Sequence, residues 1–132
     1  MEALLSITIP ANVEELEPIG NLASLVSLKV DENNTKYDSR DDCNAVIETE
    51  TNKLVMGCKT TVIPDGITVI GRNAFGGRWG LENIYFPSTI RTIEKTAFSY
   101  NINLKNIKLP SGLETIEGGR LRRIRCMCFA IY

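Results

Sequence analysis

Leu81-Glu82-Asn83-Ile84-Tyr85-Phe86-Pro87 is answered 23 residues later by Leu104-Lys105-Asn106-Ile107-Lys108-Leu109-Pro110, with the inner apolar positions and the proline in register. The same step relates Pro64, Pro87 and Pro110, then Phe75 and Phe98, then Ile70, Ile93 and Ile116. A fixed period of a few tens of residues marks a solenoid, whose units cannot each bury an apolar face alone. Stacked copies share one core, so stability is a sum of unit and interface contributions.

Within the unit, Ile84 to Phe86 and Ile107 to Leu109 alternate inward and outward, as a short half-buried strand does. Proline then closes the strand, because it has no N–H to give to a ladder. Ile67-Thr68-Val69-Ile70 and Ile90-Arg91-Thr92-Ile93 read as a second extended segment. Asn73-Ala74-Phe75 and Thr96-Ala97-Phe98 are too short for an independent helix and suit single helical turns anchored by Phe. The fold class expected is therefore an α/β solenoid, dominated by strands.

Towards the N-terminus, Leu4-x-x-Ile7-x-Ile9-Pro10 and Leu25-x-x-Leu28-x-Val30 match the strand half, as does Cys58-x-x-Thr61-x-Ile63-Pro64. One domain over residues 1–132 is expected, with repeats at about 4–30 and 58–118. Between them the period breaks. Residues 31–42 are polar and turn-rich, and 44–49 and 53–56 read as two strands around Glu50-Thr51-Asn52. This inserted hairpin, about 31–57, is expected to project from the solenoid or widen one coil, and to be dispensable for the rest. Residues 119–132 form an irregular tail that leaves the pattern.

Composition narrows the function classes. Fifteen basic residues against 16 acidic ones create no global field for nucleic acid or a membrane surface. The apolar runs are far too short to span a bilayer. Four cysteines are too few for a disulfide scaffold of this size, and no histidine is present to act as base or ligand. Met1-Glu2-Ala3-Leu4-Leu5 lacks the basic start and long apolar stretch of a leader peptide.

The unit L-x-x-I-x-I-P-x-x-V-x-x-I-x-x-x-A-F resembles the BspA-like leucine-rich repeats of bacterial surface proteins, strongly over 58–117 and more weakly over 4–30. Tyr37 to Lys59 resembles the hairpin that interrupts such repeats in proteins of gut bacteria. The resemblance implies a right-handed leucine-rich-repeat superhelix, secreted or displayed at a bacterial surface, with adhesion as its role. Members place a cysteine three residues after the A-F pair. Here those positions hold Arg78 and Asn101.

The chemistry-bearing residues read mostly as structure. Cys58 occupies the column of Leu81 and Leu104, as a buried hydrophobe or as a partner of Cys43 in a bridge. Cys126 and Cys128 lack the further ligands a zinc site needs. Asp31, Asn33, Asp38, Asp41 and Asp42 lack the glycine and spacing of a calcium loop and favour turns. Gly71, Gly76, Gly77 and Gly80 are not followed by the Lys-Ser/Thr of a phosphate loop. Trp79 aligns with Ile102 and is expected to pack over a loop. Arg120, Arg122, Arg123 and Arg125 read as a solvated basic run. No catalytic, cofactor or metal site is expected.

Binding is expected on the strand face instead. Thr8, Lys29, Val62, Tyr85 and Lys108 fall in one outward column, and Ser6, Ser27, Thr60, Asn83 and Asn106 in another. Lys29, Tyr85, Lys108, Asn83 and Asn106 are the candidate contacts for a protein partner, since aromatic and charged groups recur at interfaces. A carbohydrate-binding accessory and an intracellular scaffold are the rival readings. The chain opens in mid-repeat and ends on an uncapped apolar run, so self-association through one end, as a homodimer, or a longer parent protein whose further repeats cover the ends is also expected.

Overall fold

The computed structural model describes residues 4–18, 24–78, 81–101, 104 and 106–117. Ten short strands lie among the described residues. On the front, β1 (Ser6–Ile9) pairs in parallel with β2 (Ser27–Val30), and β7 (Asn83–Tyr85) with β9 (Asn106–Lys108). On the back lie β3 (Tyr37–Asp38), β4 (Ala45–Glu48), β5 (Lys53–Gly57), β6 (Val69–Ile70), β8 (Thr92–Ile93) and β10 (Thr115–Ile116). They form one sheet in the order β10-β8-β6-β5-β4-β3.

The 23-residue step is visible as hydrogen-bond register. Ile84 lies opposite Ile107, and Ile70, Ile93 and Ile116 align across β6, β8 and β10. Ile84 and Ile107 are each only 3% exposed, and both join one core with Ile67, Ile70, Ile90 and Ile93. Four of the five proline carbonyls close the same kind of turn. The amides of Val13, Ile67, Ile90 and Leu113 donate to the carbonyls of Pro10, Pro64, Pro87 and Pro110 at 3.2–3.4 Å. Proline thus starts the bend towards the back sheet, after a front strand at Pro10, Pro87 and Pro110, a position its fixed φ suits.

The A-F segments are turns and not helical turns, and no described segment is an α-helix. Asn73 and Thr96 adopt φ of 58° and 59°, which breaks any right-handed helical run. The Phe75 amide therefore donates outward, to Ala97 of the next coil at 2.8 Å. The expected α/β class gives way to a solenoid of strands and turns. Phe75 and Phe98 stack with ring centroids 5.2 Å apart, and Phe86 meets Phe98 edge-on at 5.9 Å.

The hairpin is a coil of the solenoid. β5 pairs antiparallel with β4 but parallel with β6, with Leu54 opposite Ile70. Ala45, Val46, Ile47, Leu54 and Met56 are all fully buried. They do not share one core. Ile47 and Leu54 pack with the C-terminal repeats, whereas Val46 and Met56 pack with Ile9, Leu25, Leu28 and Tyr37 of the N-terminal ones.

A β-bulge makes this division. Val46 pairs with Met56 and Ile47 with Leu54, leaving Val55 as the extra residue. Strand side chains alternate with period two, so one inserted residue reverses the faces beyond it. Leu54 and Met56, two apart in sequence, thereby enter opposite cores. The insertion is the wall between two cores, so of the two expectations, a projecting hairpin or a widened coil, the packing does not fit the first.

Gly57 ends β5 where Phe75 crosses it. A Cβ there would lie 2.3 Å from the Phe75 ring, and the Gly57 amide donates to Ala74 at 2.9 Å. The clash falls on a ring already stacked on Phe98, so the neighbour has little room to retreat. Gly57→Ala is expected to lower stability by about 3 kcal/mol through overpacking, measured by chemical denaturation. An unchanged unfolding midpoint would show that the Phe75 stack is free to shift.

Thr96 is β-branched and held at positive φ, a conformation Asn tolerates better. Its hydroxyl meets the Asn73 side chain, a contact an amide also makes. Thr96→Asn is expected to stabilise by about 1 kcal/mol, a rise in Tm of roughly 3–5 °C. A lower Tm would mean that the hydroxyl contact outweighs the backbone strain.

Candidate interaction surface

Residues on the front strands alternate as the sequence requires. Ile84 is buried between Asn83 and Tyr85, both exposed. Tyr85 is 78% exposed, and its cross-strand partner Lys108 is exposed beside it. Val62, from the preceding coil, is 73% exposed. Asn106 pairs with Asn83 through the backbone register. Tyr85, Lys108, Asn83 and Asn106 are thus brought onto two adjacent strands.

Lys29 is separated from them. Residues 58–64 form no strand, so the front face splits into a β1–β2 half and a β7–β9 half. The entry to the hairpin causes the break. The Val62 amide donates to the Cys43 carbonyl at 3.1 Å, where a continuous ladder would have used β2. Asn44 accepts the Leu28 amide on its side chain at 3.3 Å, and its carbonyl accepts the Thr61 hydroxyl. Thr61 also receives the Cys58 amide at 2.8 Å. Thr61 stands in a column otherwise filled by Ile and Leu, and that substitution was the available signal for this polar joint.

Lys29 is also committed. Its ammonium donates to Asp42 at 2.8 Å, and this contact holds the Asp42 carboxyl below its usual range. The rest of the loop is tied in the same way. Arg40 makes a two-pronged contact with Asp38, at 2.8 and 2.7 Å, and Thr49 donates to Asp38 at 2.6 Å. Burial acts to raise the Asp38 pKa, but these hydrogen bonds outweigh it and the pKa is lowered. Asp31 accepts the Asn33 amide at 2.8 Å. Asp31 and Asp38 thus hold their own loop, and Asp42 ties it to β2.

Arg78 and Asn101 make polar rungs inside the solenoid. Arg78 is fully buried, donating to the carbonyls of Gly57 and Gly76 at 2.7 Å each. Burial without a carboxylate partner lowers its pKa to about 10. Asn101, equally buried, donates to Phe75 at 2.7 Å and Phe98 at 2.9 Å. Both side chains stitch one turn to its neighbours through carbonyl groups the turns leave over.

The cysteines Cys43 and Cys58 are free and buried in different cores. The Cys43 thiol faces the Ala45 carbonyl at 3.8 Å and the Cys58 thiol faces that of Asn44 at 3.5 Å. Of the two readings of Cys58, the structure takes the buried hydrophobe. Trp79, the arginines of 120–125, Cys126 and Cys128 lie outside the described residues.

The described residues also form concavities. One, of about 510 Å³, lies along the back sheet between Leu16, Tyr37, Val55, Arg72 and Lys95. Two of the carboxylates lining it are paired, Glu94 with Lys53 at 3.1 Å and Glu48 with Lys36 at 3.5 Å. The other, of about 920 Å³, opens beyond β9 and β10 and is lined by Phe86, Lys108, Leu109, Leu113 and Ile116. No helix among the described residues is long and apolar enough to cross a membrane.

Burial of both thiols, with the Cys43 pKa raised to about 11, predicts that neither reacts with iodoacetamide at pH 8 until the chain unfolds. Peptide mapping after labelling, with and without denaturant, reads each cysteine separately. A Cys43–Cys58 disulfide in the native chain would contradict the two-core arrangement.

Comparison with known proteins agrees with this geometry. A search of curated proteins gives no match. Among solved structures, a leucine-rich repeat protein from Eubacterium ventriosum superposes with a TM-score of 0.69 at 22% identity, covering 84% of this chain and 31% of its own. The pneumococcal vaccine antigen PcpA gives 0.67 at 23% identity, covering 83% and 28%. A leucine-rich cell surface protein from Faecalibacterium prausnitzii gives 0.55 at 22% identity, covering 86% and 38%. The chain spans about a third of the length of each, and at these identities the likeness concerns the fold. The family model for the BspA-type leucine-rich repeat region, in six copies, matches residues 47–127, and the chain belongs to that family.

Proposed function

We propose that this chain is a non-enzymatic interaction module, secreted or displayed at a bacterial cell surface, that binds a protein partner through the β7–β9 half of its front face. The observation that carries the reading is Tyr85. It is a large aromatic side chain, 78% exposed, on a rigid strand whose neighbour presents Lys108. Aromatic anchors beside a cation supply much of the binding energy at protein interfaces, and a strand holds them at little entropic cost. Val62 extends the apolar strip on the β2 side, while Asn83 and Asn106 lie on the same two strands. Lys29, held by Asp42, has a lesser share in binding than its column suggests.

Membership of a family of bacterial repeat proteins supports the surface setting, as does likeness to a surface protein and a vaccine antigen. The test is capture of extracellular proteins on immobilised chain, with a glycan array run in parallel. Tyr85→Ala is expected to weaken capture about 30-fold, and Lys29→Ala by less than about 3-fold. Equal losses for the two variants would spread the site over both halves, and a larger loss for Lys29→Ala would move it to the β1–β2 half. Binding on the glycan array alone would replace the protein partner by a carbohydrate.

A further inference from the structure

The loop after β2 carries the one Asn-x-Ser/Thr sequence of the chain, Asn33-Asn34-Thr35, with Asp31 two residues before it. The two adjacent asparagines have opposite roles. Asn34 is fully engaged: its Nδ2 donates to the carbonyls of Pro10 at 2.9 Å and Val13 at 3.0 Å. Its Oδ1 accepts the amides of Lys36 and Tyr37, at 2.8 Å each. These bonds pin the loop to the preceding coil. Asn33 is exposed, and its carboxamide has no hydrogen-bond partner among the described residues. The Thr35 hydroxyl is exposed and unpaired in the same sense. Only the backbone of the turn is tied, through the Asn33 amide to the Asp31 carboxylate at 2.8 Å and the Asn34 amide to the Asp31 carbonyl at 3.0 Å. An unused polar side chain on an anchored surface turn is open to an enzyme that acts on the folded chain.

We propose that Asn33 is an N-glycosylation acceptor, modified on the folded chain by a bacterial oligosaccharyltransferase that reads Asp31 to Thr35. Asn-x-Ser/Thr is the acceptor sequence for N-linked glycans and belongs on a surface loop of an exported protein. Bacterial transferases of this kind also need a carboxylate two residues before the asparagine, and Asp31 supplies it. The donor is an oligosaccharide carried on a polyprenyl diphosphate. Asn33 Nδ2 attacks its anomeric carbon, so a C–N bond forms and the C–O bond to the diphosphate breaks. The polyprenyl diphosphate leaves with the electron pair, and the Nδ2 proton passes to solvent. To meet the transferase, Asp31 gives up one exposed hydrogen bond to the Asn33 amide, which water replaces. The modified loop belongs to the coil of β2, whereas Tyr85 stands on β7, so the glycan and the protein-binding face occupy different coils. The proposal rests on the exported setting proposed above, because such transferases act outside the cytoplasm.

The test incubates the purified full chain with a solubilised transferase of this sequence requirement and its lipid-linked oligosaccharide, beside a synthetic peptide of residues 29–37. Supplying enzyme and donor in the tube separates the acceptor from export, so a chain that is never exported would overturn the surface setting and leave this result untouched. One added oligosaccharide is expected, located by mass spectrometry on the peptide that contains Asn33. Asn33→Gln and Thr35→Ala are expected to abolish it. Asp31→Asn keeps an acceptor for the turn but removes the charge, and is expected to slow modification about 10-fold or more. The Asn33 carboxamide supports nothing in the fold, so Asn33→Gln is expected to leave Tm unchanged, and its loss of modification is then not a loss of structure. Modification of the peptide alone would show the folded loop closed to the transferase and overturn the proposal. No modification of either, or a glycan that survives Asn33→Gln, would also overturn it. Asp31→Asn modified as fast as the parent chain would overturn the role given to Asp31.

Discussion

Each coil of this chain is too thin to own a core. A front strand, a proline turn, a back strand and a Phe turn enclose only a few apolar side chains, and these are buried only by the coils above and below. The spacing of parallel strands, about 4.8 Å, is therefore the constraint on which everything else depends. It places Ile84 against Ile107, Ile70 against Ile93, and the ring of Phe75 flat on that of Phe98. Any residue that disturbs this spacing disturbs two coils at once, because stability resides in the interfaces between units.

The hairpin shows how such a stack absorbs an irregular coil. It enters through Asn44, which takes the Leu28 amide on one side and the Thr61 hydroxyl on the other. It leaves through Gly57, where the absence of a side chain lets Phe75 lie against the backbone. Between them, the bulge at Val55 turns Met56 to one core and Leu54 to the other. The cost falls on the front sheet, which loses its continuity between β2 and β7. A structural insertion on the back thus decides how much of the front is available as one surface.

Arg78 and Asn101 follow the same logic in polar form. The turns after Phe75 and Phe98 leave carbonyl groups inside the stack, and a buried carbonyl without a donor is costly. Arg78 reaches Gly57 of the previous coil, and Asn101 reaches Phe75 of its own previous coil. A guanidinium carries more donors than a cysteine thiol, and here it meets carbonyls from two segments. The chain bridges the column with hydrogen bonds where a thiol would offer a small hydrophobe, and leaves Arg78 Nη2 and Asn101 Oδ1 buried without a partner among the described residues.

The sequence by itself determined the solenoid, because period is a property of spacing alone. The positions of Pro64, Pro87 and Pro110, and the inward columns of Ile and Leu, specify strands, turns and core without reference to any distant contact. The outward position of Tyr85 follows from the same alternation. Only the tertiary structure decided the rest. The Phe segments read as helical turns because three residues cannot reveal the sign of φ, and the partner of the Phe75 amide is a residue of the next coil. Lys29 stood in the binding column on spacing, yet its charge is taken by Asp42 across a loop whose path no local pattern encodes. The hairpin looked separable because its apolar residues alternate as in any hairpin. A single unpaired residue at Val55 divides them between two cores, and a bulge is defined by the strand opposite it, which a linear reading does not contain.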